Sequence, residues 1–123
     1  MKFLPQVSAI ASFGNGGFRF GDHSHLGSLL VVPSGMRAWD VSGVLTPDNF
    51  SLIVHEKDQI DFVLLGTGVE MVRPPKNVLI FFADNGLSLD FMSTSSAVHT
   101  YNVMLAEGRR LAAAFVAVEK AGS

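Results

Sequence analysis

The chain has 123 residues, 48% of them hydrophobic and 16% charged, with a formal net charge of −2. That size fits one domain whose core needs no disulfide or metal to hold it, and ten Phe against one Trp and one Tyr suggest a packed aromatic interior. With no cysteine, thiol nucleophiles, disulfides and cysteine metal sites are excluded, and nine scattered Lys and Arg give nucleic acid no electrostatic footprint.

Residues 1–17 read as an irregular lead-in, ahead of a single α/β domain over 18–123. "MKFLPQVSAIASF" has one Lys and an apolar run broken by Pro5 and Gln6, a poor signal peptide and no Arg-rich transit sequence. "GNGG" at 14–17 is a flexible turn, and "FRF" at 18–20 a short strand. Asp22-His23-Ser24-His25 alternates histidines, yet no recognised spacing brings it a third ligand, and His55 and His99 stand alone. These read as loop histidines, and no metal is expected.

"GSLLVV" at 27–32 is a buried strand stopped by Pro33-Ser34-Gly35. "MRAWDV" at 36–41 resumes with alternation, so 28–41 forms a hairpin, with Trp39 as a partly buried anchor. "LTPDNFSLIVHE" then changes period. Thr46 is placed as a helix cap, Pro47 at the first helical position, and Phe50, Ile53 and Val54 on one stripe. "DFVLLGTG" at 61–68 is a continuous apolar run, as in a central strand covered on both faces. Pro74-Pro75 and Asn85-Gly86 bracket a helix over 75–85, and "LSLDFM" at 87–92 alternates as a strand.

Between Ser93 and Gly108, Ala97, Val98, Tyr101, Met104 and Leu105 share one sector of an amphipathic helix. "RRLAAAFVAV" at 109–118 closes the chain as a long strand, small enough at Ala112–Ala114 for a helix to pack closely. Its apolar stretch is far short of a membrane span. A mixed sheet in an α/β domain with about three helices follows, with the cytoplasm as default location.

Motifs that could carry chemistry are few. "GTGVEM" at 66–71 follows a strand, but Met71 stands where a dinucleotide fingerprint needs its third glycine. No serine sits in a G-x-S-x-G elbow, so no catalytic residue is assigned. "FMSTSSA" at 91–97 leads from strand into helix through hydroxyl residues. Thr94 or Ser95 would cap the helix, or the same end would hold an anion. If strands 61–65 and 87–92 are parallel neighbours, Thr67 and Thr94 line one crevice at the sheet edge.

A strand ending in "LLGTG", the segment from "FMST" through "TYN" to "MLAEGRR", and the upstream "GSLLVVPSG" followed by Trp39 together resemble the domain of unknown function 498 family. The similarity spans about Phe18 to Val118. Eukaryotic relatives include the mitochondrial respiratory complex I assembly factor 3 and a vertebrate adipogenesis-associated protein. The resemblance implies a three-layer α/β fold with a central mixed sheet, supports the helix over 75–85, and brings no established catalytic mechanism. It implies a non-catalytic module acting through protein partners, and the missing transit peptide makes this chain look like a bacterial-type member.

Two expectations follow for the polar residues. In one, Tyr101 packs inward with its hydroxyl on a polar partner, Asn102 holds a neighbouring loop, and Glu107-Gly108-Arg109 makes a tight turn. In the other, Gly66, Thr67, Gly68, Thr94, Asn102 and Arg109 surround a small ligand or anion pocket at the 66–68 and 92–95 loops. An interaction surface would draw on Phe3, Leu4, Phe13 and Val103, and no cofactor is expected.

Overall fold

The computed structural model describes residues 3–119. Met1, Lys2 and residues 120–123, which the expected lead-in and domain include, lie outside the described residues. The elements run β1 (Phe3–Leu4), β2 (Ser12–Gly14), β3 (Gly17–Phe20), β4 (His23–Leu26), β5 (Leu29–Val32), β6 (Gly35–Ala38), a tight helical turn at Pro47–Phe50 and α1 (Ser51–His55). A second tight turn at Lys57–Gln59 leads to β7 (Phe62–Gly66), α2 (Lys76–Asp84), β8 (Leu89–Met92), α3 (Thr94–Ala106) and β9 (Leu111–Phe115).

Six strands form one mixed sheet in the order β1-β6-β5-β9-β7-β8. Pairing is antiparallel from β1 to β9, while β9, β7 and β8 run parallel. The fold is therefore α/β with a central mixed sheet. Strand alternation sends side chains to two cores. Leu29, Val31, Leu64, Ala113 and Phe115 face α3 through Ala97, Val98 and Tyr101, together with Phe13, Phe18 and Phe20 of the small antiparallel sheet β2-β3-β4. Leu30, Val32, Val63, Leu65, Ala112 and Ala114 face Trp39, Phe50, Ile53, Val78 and Phe82 on the opposite side. The sheet is covered on both faces, as the unbroken apolar runs of β5 and β7 require.

The expected lead-in differs most from the structure. β1 pairs with β6, and β2 with β3, so part of residues 3–17 is ordered by sheet pairing. The β2–β3 turn has positive φ at Asn15 (52°) and Gly16 (77°), the two-residue geometry that Asn-Gly favours in hairpins. His23 and His25 lie in strand β4 rather than a loop; His25 is buried, with Nε2 2.9 Å from the Ser28 carbonyl. The helix expected after Thr46 begins as the tight turn at Pro47–Phe50, with Asn49 Oδ1 accepting from the Thr46 N–H at 2.8 Å.

A cleft at the carboxyl ends of the parallel strands

β7, β8 and β9 run parallel, so the loops after Gly66, Met92 and Phe115 leave the same edge of the sheet. There the chain is knitted by two threonines. Thr94, fully buried, donates from Oγ1 to the Val116 carbonyl at 2.7 Å and accepts the Gly68 N–H at 3.0 Å. Its own N–H reaches the Gly68 carbonyl at 2.8 Å. Thr67 accepts the Val72 N–H at 2.9 Å and donates to the Glu70 carbonyl at 2.7 Å, with the Met92 carbonyl at 3.1 Å. Gly66 is needed for close approach: a Cβ there would stand 2.9 Å from Thr94 Cα and 3.2 Å from Ala97 Cβ.

The glycine–threonine cluster is thus real, but its polar atoms are consumed by the chain itself. The helix cap is Ser93, whose hydroxyl accepts the Ser96 N–H at 3.2 Å, rather than Thr94 or Ser95. Thr94 points into the core because Gly66 leaves room for it.

Asn102 and Arg109 are not brought to this cluster. α3 has 13 residues, which sets Arg109 roughly 20 Å from Thr94 along the helix axis. Asn102 accepts the Ile10 N–H through Oδ1 and donates from Nδ2 to the Ile10 carbonyl, both at 2.8 Å, imitating one step of a strand ladder. Tyr101, wholly buried, donates to the Ser8 carbonyl at 2.7 Å, and burial pushes its phenol pKa well above the ordinary value. Both side chains hold the segment before β2 against α3, the bracing role expected for them.

Gly108, at φ 74°, ends α3 with the Arg109 N–H on the Met104 carbonyl and its own N–H on the Leu105 carbonyl, a Schellman closure. Arg109 Nε lies 3.5 Å from Glu107, with the guanidinium 5.3 Å from the Phe62 ring centroid. Next to it, Arg110 makes a two-pronged bond to Asp61 at 2.8 and 3.0 Å, which lowers the Asp61 pKa and raises that of Arg110.

The surface residues expected for partner binding are dispersed. Phe13 is buried in the core beside Phe18, with ring centroids 6.5 Å apart, because β2 turns it inward. Leu4 is half-buried, and Phe3 lies under the Arg37 guanidinium at 4.6 Å. Phe3 and Val103 are each 45% exposed, on separate elements.

A cleft of about 480 Å³ lies on the other side of Thr67. One wall is the loop Val41–Leu45, the other Val72–Pro75, with Thr67, Ser28 and Val116 between them. Apolar side chains dominate it, and Arg73 is the charged group among its described lining residues. Of its lining residues Val44 is 77% and Val72 58% exposed, and Val69 and Met71, just before Val72 in the chain, are 71% and 63% exposed. Of the expected pocket residues, Thr67 alone lines this cleft among the described residues. The missed signal was in the sequence: "VSGVL" and "VEMVRPP" place apolar residues in segments with neither strand nor helix period. Among the described residues, no three His, Asp or Glu side chains converge as a metal site would require, and no helix is long and apolar enough to cross a membrane.

Residues 10–116 match the family described as "Protein of unknown function (DUF498/DUF598)". An uncharacterised protein of Rhodobacter capsulatus is 33% identical over 87% of this chain and 82% of its own length. Human NADH dehydrogenase [ubiquinone] 1 alpha subcomplex assembly factor 3 is 29% identical over 90% of this chain, which spans 61% of that protein's length. Among solved structures, one titled as an outer membrane protein of Bartonella henselae is 47% identical, covering 94% of this chain and 98% of that one, with a TM-score of 0.89.

Proposed function

This chain belongs to the DUF498/DUF598 family, and on that footing we propose that it is a non-catalytic, assembly-factor-like module of bacterial type that binds protein partners. The apolar rim of the cleft is the observation that carries this reading. Val44, Val69, Met71 and Val72 are largely exposed on two loops of one region. Exposed apolar side chains gathered at the mouth of a cleft, as Val44 and Val72 are, mark interaction sites more often than single exposed residues do. The relatives named as assembly factors support the same class of role. The cysteine-free sequence fits a reducing compartment, and the proposal places the module in the cytoplasm.

The test compares wild type with Val44→Glu/Val72→Glu in affinity capture from the native extract. One or more proteins should be retained by wild type and lost by the variant at an unchanged thermal midpoint. Equal capture by both forms would remove the rim from the interface.

A second reading is favoured by the cleft itself. Its volume lies within the range of small-molecule sites, and it sits outside the carboxyl ends of parallel strands, where open α/β sheets commonly bind ligands. In that reading the ligand meets Thr67 and the two loop walls, away from the buried Thr94.

A further inference from the structure

We infer that the cleft beside Thr67 takes an apolar monocarboxylic acid, with its carboxylate on Arg73 and its hydrocarbon part between Val44, Leu45 and Val72. The inference rests on the second reading above, that the cleft is a ligand site, and adds the class of ligand.

The chemistry of the lining selects that class. The walls are branched aliphatic side chains and prolines, which favour hydrocarbon and offer few hydrogen bonds to a sugar or nucleoside. Thr67 Oγ1 is already committed to the backbone of its own loop. Charge enters through Arg73. Its guanidinium has no carboxylate within ion-pair distance among the described residues, and the Glu70 and Asp40 side chains, both exposed, do not line the cleft. A planar guanidinium is suited to a carboxylate, which it can engage with two parallel N–H bonds. The same wall runs through Pro74 and Pro75 into the first turn of α2, whose positive end adds to the preference for an anion.

Other charge classes fit less well. A phosphate ester needs several convergent donors, yet the nearby Gly68 and Val72 amides are taken by Thr94 and Thr67. A cationic amphiphile would meet Arg73 with like charge. A neutral apolar molecule gains the walls but nothing from the guanidinium.

The experiment is a chemical-shift titration of the full chain with decanoate, decanol and decyltrimethylammonium, each below its micelle concentration, on wild type and Arg73→Gln. Decanoate should bind saturably, with shifts centred on Val44, Leu45 and Val72. It should bind about three- to fivefold more tightly than decanol, the range an exposed ion pair supplies. The ammonium compound should bind most weakly. Arg73→Gln should bring decanoate down to the affinity of decanol and leave decanol unchanged. Equal wild-type affinities for decanoate and decanol would overturn the carboxylate assignment while leaving the cleft as a ligand site. No saturable shift with any of the three, or shifts centred elsewhere, would overturn both.

Discussion

The α3 face of the sheet and the cleft at the parallel strand ends are finished in opposite ways. On the α3 side, Tyr101, Asn102 and Thr94 have their hydrogen-bonding atoms paired with backbone of Ser8, Ile10, Gly68 and Val116. On the cleft side, Val44, Val69, Met71 and Val72 leave aliphatic surface in water. The contrast favours the bracing expectation for the polar residues of α3 over the pocket one. The segment rich in hydroxyls and amides is bracing, and the nondescript aliphatic loops are the open surface. Polar groups near a core must be satisfied, so their density measures how much backbone has to be tied down.

The comparison is broken most severely by Tyr101→Ala. Losing a fully buried ring packed edge-on against Phe115, with centroids 5.5 Å apart, should cost about 3–5 kcal/mol in chemical denaturation. A loss under about 1 kcal/mol, the scale of a single hydrogen bond, would mean that the ring is not a principal support of this side. Thr94→Val keeps the shape but strands the Val116 carbonyl and the Gly68 N–H. About 2–3 kcal/mol should be lost, with faster amide exchange at Gly68.

Alkaline pH sharpens the contrast without changing size. Burial raises the Tyr101 pKa, so the folded chain keeps its phenol proton at pH values above the ordinary 10.0, where the unfolded chain releases it. Stability is then fully present below that pH and falls as pH rises above it. Because the chain has one Tyr, tyrosinate absorbance reports this group alone. It should appear with unfolding rather than before it. Tyr101→Phe should remove this group's share of the alkaline loss, at a cost near neutrality of about 1 kcal/mol for the bond to Ser8.

The smallest effect belongs to the other side. Val44→Ser and Val72→Ser should each stay within about 0.5 kcal/mol of wild type, since neither side chain supports the core. A loss of about 2 kcal/mol or more at either would show that the rim is structural.

Much of the architecture was legible because its signals are local. The apolar run of β7, the alternation in β8 and the caps around α2 each depend on neighbouring residues. Tyr101 and Asn102 were also readable as braces, since the helical stripe puts one inward and the other at its border. The pairing of β2 with β3 was legible in principle from Asn15-Gly16, whereas β1 was not, because a two-residue strand has no period. Of the six residues expected around one pocket, Gly66, Thr67, Gly68 and Thr94 came together, while Asn102 and Arg109 did not, because sequence proximity on a helix is not spatial proximity. Asn102 lies about two turns beyond Thr94, and Arg109 beyond the far end of α3.

By itself the sequence determined an α/β chain with a sheet covered on both faces, the helix that ends at Gly108, and a family resemblance carried by "LLGTG" and the "TYN" segment. Periodicity and capping act within a few residues, so one strand of letters is enough to read them. Only the tertiary structure decided that Thr94 faces inward, that Phe13 is core, and that the loops at 41–45 and 72–75 face each other across a cleft. Those facts depend on which backbone lies opposite which side chain. They are fixed when β9 inserts between β5 and β7 and brings distant segments to one edge.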